Sequence, residues 1–335
     1  MKHNSNKICL AYILKALDTW IITHRDADGI CSAAITLAAR HNACIYFSHP
    51  IGLYKDLEKP KKGDEVFIFD ISLAEDTLHK TFPRLADLSE HGSVTYIDHH
   101  PLPSNVTVKM IPGIVRHSTE FCATELAYRE FREIIPLDMS RVAIYGAIGD
   151  YKEKTTLMQQ LIEDWDKSAL YYEAGTLLEG LEIDRKDYDF MRRIARLLSN
   201  NVLPSSDNEL VSRARQQAQL EEKQRKSVIE QVKMIGNIAY VIDVPGSIGT
   251  AALYARITEK ALIGVAGAIK HGIVDLSLRS KNPKINLNIL LRSECRKFGG
   301  VGGGHPQAAG ARIPVDQLIG FLKSLDLTAT AFLEQ

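Results

Sequence analysis

The sequence predicts an α/β protein with two domains, a larger one built on a parallel sheet and a smaller α/β one at the C-terminal end. Short apolar runs typical of strands alternate with helical patterns through the first half of the chain, which indicates a parallel sheet covered by helices. The length of 335 residues also exceeds the usual size of a single hydrophobic core. We therefore expect a first domain at residues 1–198, a helical linker at 199–235 and a second domain at 236–335.

The elements of the first domain follow from the period of the apolar residues. A helix at residues 7–17 precedes the first strand, and a long helical pattern at 157–198 ends the domain. Between them, the predicted strands are 19–23, 44–48, 65–69, 93–97 and 106–111, and the predicted helices are 30–41, 73–90, 118–131 and 141–149.

Composition excludes several classes of protein. The 41 basic and 41 acidic residues cancel, so a polybasic coat for nucleic acid is absent and any electrostatic guidance must be local. The five cysteines form no Cys-x-x-Cys pair, which favours a reducing cytoplasm over a disulfide framework or a zinc knuckle. The apolar run at 261–269 is far too short to span a membrane. Neither export nor membrane anchoring is expected.

Acidic and histidine side chains follow four of the predicted elements. Open α/β sheets keep their chemistry at the carboxyl ends of their strands, so these side chains are candidates for one site. Pro101 and Pro103 stop the fourth strand and expose the side chains before them. The candidates are His24, Asp26 and Asp28 after strand 19–23, Asp70 after strand 65–69, Asp98, His99 and His100 after strand 93–97, and Asp150 after helix 141–149.

This set of side chains predicts a two-metal site. Crowded carboxylates repel one another unless a cation neutralises them. Mixed carboxylate and imidazole ligands suit Mn²⁺ better than Ca²⁺ or a structural Zn²⁺, with Mg²⁺ as a substitute. Two such ions can activate a water molecule and stabilise a phosphoryl group during transfer.

The second domain has a pattern suited to a phosphate-bearing substrate. Its predicted strands are 238–244, 261–269 and 273–278, and its predicted helices are 249–259 and 285–298, after a linker helix at 216–232. Residues 270–297 contain seven Lys or Arg and two acidic residues, which gives a local positive field. The glycines at 299–304 let backbone amides approach an anion.

Two motifs resemble those of a known family, and they occur in the same order along the chain as in that family. The series His-x-Asp-x-Asp-Gly at 24–29, a lone Asp70, Asp-His-His at 98–100 and Gly-Asp at 149–150 resembles the DHH phosphoesterase superfamily. The run Gly-Gly-Gly-His-Pro-Gln-Ala-Ala-Gly at 302–310 resembles the signature of the C-terminal substrate domain of that family. The spacing of His24 to Asp26 is shorter than in the common His-x-x-x-Asp-x-Asp form of the family and resembles archaeal RecJ-like nucleases more closely. It leaves the role of His24 open between ligand and supporting residue.

The resemblance implies a role for each candidate residue. Asp70 is expected to bridge two ions, with Asp26 on one ion and Asp28, His99 and Asp150 on the other. His100 and Asp98 are the predicted catalytic pair, in which His100 faces the scissile phosphate and Asp98 orients an imidazole. Ser118 and Thr119 are either the N-cap of helix 118–131, which the residue types favour, or substrate contacts. The predicted substrate-binding residues of the second domain are Arg279, Ser280, Gly303, Gly304 and His305.

Three functions are compatible with these residues. The first is a RecJ-like exonuclease on single-stranded DNA or RNA, and the second is an oligoribonuclease or cyclic-dinucleotide phosphodiesterase. The third is a non-catalytic replisome scaffold, which the intact ligand set disfavours because unneeded buried carboxylates are costly. The expected partners are single-stranded nucleic acid or a short oligonucleotide, with a replication or repair protein and a second copy of the chain left open.

Overall fold

The computed structural model describes residues 17–334 and confirms the predicted α/β class. The helix predicted at 7–17 lies outside the described residues except for its last position. The chain forms two compact units, Met1–Asp207 and Asn208–Gln335. The boundaries expected from the sequence, at 198/199 and 235/236, stay predictions.

The first unit is built on a five-stranded parallel sheet. Its strands are β1 (Thr19–Thr23), β2 (Cys44–Phe47), β3 (Glu65–Phe69), β4 (Ser93–Asp98) and β5 (Ile114–His117), in the spatial order β2-β1-β3-β4-β5. Every neighbouring pair is parallel. The carboxyl ends of all five strands therefore lie on one edge of the sheet.

Helices cover this sheet. The helices are α1 (Ala27–Ala39), α2 (Leu53–Asp56), α3 (Leu78–His91), α4 (Ala123–Phe131), α5 (Ser140–Gly149), α6 (Thr156–Glu163), α7 (Lys167–Glu182) and α8 (Tyr188–Ser199). Twelve of the 13 residues of α1 are buried, which explains its small side chains, since a helix enclosed on all sides has little room. Leu85 and Leu88 of α3 join Ile22, Ile68 and Tyr96 of the strands in one core.

The second unit combines a six-stranded mixed sheet with four helices in the part of the chain described. Its helices are α9 (Asn208–Gln231), α10 (Ile248–Thr258), α11 (Leu287–Lys297) and α12 (Leu318–Glu334). Its strands are β6 (Lys233–Ile235), β7 (Ile238–Ile242), β8 (Ile263–Lys270), β9 (Ile273–Ser280), β10 (Val301–Gly304) and β11 (Ala308–Pro314), in the order β10-β11-β9-β8-β7-β6. Only β7 and β8 pair in parallel.

The strand predicted at 106–111 is wrong. Those residues hold a short 3₁₀ turn, Val108–Met110, and the fifth strand comes later, at Ile114–His117. Gly113 explains the shift: its φ is +97°, and a Cβ there would lie 2.6 Å from the backbone oxygen of Val94. The chain must turn at this glycine before it can pair with β4.

Other predicted boundaries also move. The helix predicted at 30–41 begins at Ala27, and the helical pattern at 157–198 divides into α6, α7 and α8. The glycines from Gly302 to Gly304 belong to a strand, which the sequence pattern did not predict. No helix within residues 17–334 is long and apolar enough to cross a bilayer.

We predict that Gly146→Ala destabilises the first unit. A Cβ at this position in α5 would lie 2.3 Å from Oγ1 of Thr124 and 2.7 Å from its Cβ. Thr124 cannot easily move, because its Oγ1 donates to the backbone oxygen of Asp28 at 2.7 Å. The expected loss is about 1–3 kcal/mol of the free energy of unfolding, measured by urea denaturation.

Gly175→Ala is the matched control for this substitution. Gly175 lies in the middle of α7 and a Cβ there would meet nothing within 4 Å. Alanine is the better helix former, so this change should be neutral or stabilise by up to about 1 kcal/mol. Equal denaturation midpoints for the two variants would contradict the close contact of α4 and α5.

Candidate metal centre

The parallel register brings the candidate side chains to neighbouring strand ends. β1, β3 and β4 lie side by side, and His24, Asp70 and His99 follow them directly. The ladder continues one residue past the strands, because the amide of His24 donates to the oxygen of Phe69 at 3.3 Å and the amide of Asp70 donates to that of Ile97 at 3.1 Å. Adjacent strands are about 4.8 Å apart, so side chains at these ends can share a ligand.

Asp70 occupies the middle of the group in an unusual conformation. Its φ is +55°, in the left-handed region that is uncommon for a non-glycine residue. Its side chain is 2% exposed. Strained backbone of this kind occurs at sites where the surrounding structure holds a residue for its function. The turn directs the Asp70 carboxylate between the side chains that follow β1 and β4.

His24 and Asp26 form one side of the centre. His24 Nδ1 lies 2.8 Å from Asp26 Oδ2 and 3.5 Å from Asp70 Oδ2. Asp26 is also the N-cap of α1, where its Oδ1 accepts a hydrogen bond from the amide of Gly29 at 3.0 Å. The cap fixes one oxygen of Asp26 and leaves the other directed at His24.

Asp28 is held by the N-terminus of another helix. Its two carboxylate oxygens accept hydrogen bonds from the amides of Ala123 and Thr124, at 2.8 and 2.7 Å. Both amides belong to the first turn of α4, where a carboxylate is stabilised by the helix dipole. This arrangement also fixes the start of α4. The cap residue is Cys122, so the hypothesis that Ser118 or Thr119 caps a helix beginning at 118 is wrong.

His99 connects Asp28 to Asp70 and Asp150. Its Nε2 lies 3.2 Å from Asp70 Oδ1 and 3.7 Å from Asp28 Oδ2, and its Nδ1 lies 3.5 Å from Asp150 Oδ2. Asp150 is the C-cap residue of α5. Four elements, β3, β4, α1 and α5, therefore contribute to this side of the centre.

Asp98 orients His100. Its Oδ1 accepts a hydrogen bond from His100 Nδ1 at 2.8 Å, and its Oδ2 lies 3.0 Å from the hydroxyl of Tyr96. That hydroxyl also lies 2.6 Å from the backbone oxygen of Ile71. Asp98 is fully buried. A buried carboxylate on one nitrogen fixes the orientation of the ring and directs the other nitrogen, Nε2, to a ligand.

Three overlapping groups of side chains could each hold a cation. Within each group, one ligand atom from every residue lies within 4.8 Å of the others. Asp70 belongs to two of the groups, as a bridging ligand must, and His99 also belongs to two. The groups are His24, Asp26 and Asp70; Asp28, His99 and Asp150; and Asp70, His99 and His100.

Two buried oxygens show that the donor set fits a cation. Oδ2 of Asp70 and Oδ2 of Asp150 are buried, and neither has a hydrogen-bond partner of normal geometry in the described part of the chain. Buried polar atoms are almost always paired, and a carboxylate oxygen is a good ligand for Mn²⁺ or Mg²⁺. Each of the two oxygens belongs to a different side of the centre.

The pKa values of the candidate ligands reflect the crowding of the carboxylates. Burial, with the charges of Asp26 and Asp28, raises the pKa of Asp70 to about 8. Burial and the Asp28 charge raise the pKa of Asp150 to about 7. Burial lowers the pKa of an imidazole, but the carboxylates around His24 and His99 outweigh it and raise the pKa of each to about 10. Protons thus supply part of the positive charge that the carboxylates require.

The substrate-binding residues predicted in the second unit are placed on and around β9 and β10. Arg279 Nη1 donates to Ser277 Oγ at 2.9 Å, and the hydroxyl of Ser280 donates to the backbone oxygen of Leu262 at 3.1 Å. The amide of Gly304 donates to Asn288 at 3.1 Å, and that of His305 donates to Ala308 at 2.9 Å. Their roles stay predictions, as do those of Gly303, Ser118 and Thr119.

The sequence did not reveal one histidine beside the centre. His117 ends β5, next to Asp98 in the register, and its Nε2 lies 2.7 Å from the backbone oxygen of His100. Its position at the end of a strand is the same feature that pointed to the other candidate residues. It was missed because the fifth strand was expected at 106–111.

A family model matches most of the C-terminal unit. Residues 238–331 match the DHHA1 domain family. No curated protein sequence is significantly similar to the chain.

Several solved structures share the fold over both units. An exonuclease RecJ bound to manganese matches with a TM-score of 0.61 and 18% identity, over 93% of this chain and 90% of that one. The pGpG-specific phosphodiesterase PggH of Vibrio cholerae matches with a TM-score of 0.60 and 13% identity, over 94% and 99%. CDC45 of Entamoeba histolytica matches with a TM-score of 0.58 and 10% identity, over 94% and 95%. These matches confirm the predicted two-domain DHH and DHHA1 fold of RecJ-like proteins.

Metal binding should release protons. Ligands must be deprotonated to bind a cation, and near pH 7 the raised pKa values keep His24, His99 and Asp70 protonated. The affinity for Mn²⁺ should therefore rise between pH 6 and pH 8, by about tenfold per pH unit for each proton released. Titration calorimetry in two buffers of different ionisation enthalpy counts the protons, and an affinity independent of pH would contradict the assignment.

Proposed function

We propose that the chain is a metal-dependent phosphodiesterase of the RecJ type, which hydrolyses single-stranded DNA or RNA from an end. The observation that carries the proposal is the buried carboxylate and imidazole centre, in which Asp70 contacts both His24 and His99 and one buried oxygen on each side accepts no hydrogen bond from the described residues. The common fold with RecJ supports it. The preferred cofactor is Mn²⁺, with Mg²⁺ as a substitute, because imidazole ligands favour the softer ion.

The chain supplies a ligand set for two ions. His24, Asp26 and Asp70 would hold one, and Asp28, His99 and Asp150 would hold the other. Asp70 is the proposed bridge to the second ion, since its Oδ1 lies 3.2 Å from His99 Nε2. When bound, such ions lower the pKa of water and neutralise charge on the phosphoryl group. The hydrogen bonds that Asp26 and Asp28 accept from helix amides keep those carboxylates oriented before the cations arrive, which limits the cost of organising the site.

His100 is the proposed proton donor. Burial lowers its pKa, but the hydrogen bond and charge of Asp98 outweigh it, so the net shift is upward. With Nδ1 bonded to Asp98, Nε2 is the atom that would donate to a phosphoryl oxygen as negative charge develops there. Asp98 and Tyr96 hold the ring in place, and the contact of His117 with the His100 carbonyl fixes the adjoining backbone.

A phosphate-binding role is proposed for the second unit. The excess of basic residues at 270–297 supports an interaction with phosphate. The residues proposed for this role are Arg279, Ser280, Gly303, Gly304 and His305, with Ser118 and Thr119 of the first unit as further candidates. Single-stranded nucleic acid is the proposed partner. A cytoplasmic location is proposed because Cys31, Cys44, Cys122 and Cys295 are free thiols.

A small-substrate phosphodiesterase is the second candidate. The shared fold covers 94% of this chain and 99% of PggH, a phosphodiesterase specific for pGpG, which supports a dinucleotide or short oligonucleotide as substrate. The third candidate, a non-catalytic replisome scaffold, is less well supported. Four buried or half-buried carboxylates without a chemical role would only destabilise the unit.

We predict phosphodiesterase activity that requires Mn²⁺ and is weaker in Mg²⁺. The test uses purified protein with end-labelled dinucleotides, long single strands and cyclic dinucleotides, with and without EDTA. A ladder of products shortened from one end of the long strands would support the exonuclease, and cleavage of dinucleotides alone would support the second candidate. Full activity in EDTA-treated, metal-free protein would refute a metal-dependent mechanism.

Asp70→Asn should be among the most damaging substitutions. Loss of residues that only support metal ligands costs about 10–100-fold in affinity or activity, so loss of a shared ligand should exceed about 100-fold in kcat/KM. Metal analysis by mass spectrometry should show fewer than two ions per chain in this variant. An active Asp70→Asn protein with two bound ions would contradict the bridging role.

Asp64→Asn is the matched control. Asp64 is also a buried carboxylate next to β3. It lies directly before the first residue of the strand, whereas Asp70 lies directly after the last. It accepts hydrogen bonds from the Trp20 indole at 3.0 Å and the Lys61 amide at 2.7 Å. This substitution should lower stability without changing metal content or activity.

A further inference from the structure

An aromatic pair lies at the edge of the first unit near the candidate metal centre. Phe47 ends β2 and Tyr188 begins α8, and their rings are stacked with centroids 5.8 Å apart and planes inclined by 24°. Phe47 is 9% exposed, whereas Tyr188 is 40% exposed. Phe47 therefore covers one side of the Tyr188 ring and leaves aromatic surface open to solvent.

The side chain of Arg192 supports this pair from within the unit. Its Nε donates to the backbone oxygen of Ile45 at 3.1 Å, and its guanidinium carbon lies 5.8 Å from the centre of the Phe47 ring. Ile45 belongs to β2, so α8 is tied to the strand that carries Phe47. The open tyrosine ring thus rests on a fixed support, as a stacking surface requires.

Arg25 connects the aromatic pair to the candidate metal centre. It lies between His24 and Asp26 in the sequence, and its Nη1 donates to the hydroxyl of Tyr188 at 3.4 Å. Among residues 17–334, no carboxylate lies within 4.0 Å of its guanidinium. Arg25 is therefore a cation that no carboxylate pairs, one position away from two candidate ligands.

This combination has the chemistry of a nucleotide subsite. A guanidinium has five N–H donors in a fork that matches phosphate, and the hydrogen bond to Tyr188 uses one of them. An aromatic ring that stacks on a base contributes about 1–3 kcal/mol for any of the bases. The Arg25 guanidinium lies 3.4 Å from the Tyr188 hydroxyl, so the cation is at the edge of the ring and leaves the open ring face free for a base.

We propose that Arg25 and Tyr188 form a nucleotide subsite in the first unit, in which Tyr188 stacks on a base and Arg25 contacts the phosphate of the same nucleotide. The inference rests on the proposed function and adds a contact for a nucleotide next to the scissile one. Phe47 and Arg192 position Tyr188 and do not touch the substrate. The subsite accepts any base, since it offers a ring face and no pattern of hydrogen bonds.

The test compares Tyr188→Leu with Tyr188→Trp and with the control Tyr171→Leu. Tyr171 is an exposed tyrosine of α7, 48% exposed, and lies outside the proposed subsite. The substrates are one single-stranded oligonucleotide, a set of the same oligonucleotides with a single abasic residue at each position in turn, and a fully abasic oligonucleotide of the same length, which has no ring to stack.

Tyr188→Leu should raise KM for the complete oligonucleotide by about tenfold, and Tyr188→Trp should keep it near the original value. One abasic position should raise KM for the unmodified protein and should produce no further loss in Tyr188→Leu. Hydrolysis of the fully abasic oligonucleotide should be equal in Tyr188→Leu, Tyr188→Trp and the unmodified protein. An equal loss on every substrate, or the same effect from Tyr171→Leu, would overturn the subsite.

Binding without turnover separates this inference from the proposed function. In EDTA, anisotropy of a labelled oligonucleotide should show weaker binding to Tyr188→Leu even if the unmodified protein proves to hydrolyse nothing. Binding that does not depend on Tyr188 would overturn the subsite while hydrolysis in Mn²⁺ still supported the phosphodiesterase. If Tyr188→Leu fails to fold, the abasic series with the unmodified protein decides, because a KM independent of every base excludes stacking.

Salt dependence tests the role of Arg25. A contact with one phosphate of a single strand contributes about 0.7 to the slope of log affinity against log salt concentration. Arg25→Gln should reduce the slope by that amount, Arg25→Lys should preserve it, and Tyr188→Leu should weaken binding with an unchanged slope. An unchanged slope in Arg25→Gln would overturn the phosphate contact.

Discussion

Repulsion among buried carboxylates is the constraint on which the first unit depends. Asp26, Asp28, Asp70 and Asp150 meet at one edge of the sheet because parallel strands and their following helices direct them there. The fold compensates two of them itself, since Asp26 and Asp28 accept hydrogen bonds from the amides at helix N-termini. The other two each keep a buried oxygen that accepts no hydrogen bond from the described residues and lies 3.5 Å from an imidazole nitrogen, and each has a raised pKa. Protons or cations must therefore complete the charge balance. On each side of the centre, one buried carboxylate oxygen accepts no hydrogen bond from the described residues.

The clamp on Asp28 shows how packing and chemistry are joined. The first turn of α4 binds the Asp28 carboxylate through Ala123 and Thr124, while the hydroxyl of Thr124 donates to the Asp28 backbone. Thr124 in turn contacts Gly146 of α5 so closely that no side chain fits there. Since Asp150 directly follows α5 as its C-cap, a displacement of α4 would move both Asp28 and Asp150. Rigid support of this kind is what keeps a binding geometry within the narrow limits that catalysis requires.

Local patterns were sufficient to predict most of this centre, and longer-range geometry accounts for the rest. His24, Asp70 and the Asp98 to His100 run could be located because each follows a short apolar strand, and such strands are readable from β-branched and aromatic residues. The start of α4 could not be predicted, because its position is set by a carboxylate 95 residues earlier in the chain. His117 was missed for a related reason: the turn at Gly113 places the fifth strand later than the apolar pattern suggests. The strand at Val301–Gly304 could not be predicted either, because glycine is rare in strands. These glycines form a strand here because they pair with β11.

The proposed nucleotide subsite bears on how a chain with no net charge could select nucleic acid. Its positive charge is local, and Arg25 lies among acidic residues whose carboxylates are turned toward the centre or bonded to helix amides. In the proposed subsite, a phosphate beside the centre would contact the Arg25 guanidinium, and its base would contact the Tyr188 ring. Such an arrangement favours a substrate that carries a base next to the phosphate over inorganic phosphate or a simple ester, because only the former uses both contacts. Since β2, β1 and α8 all belong to the first unit, this selection operates within the unit that holds the candidate ligands.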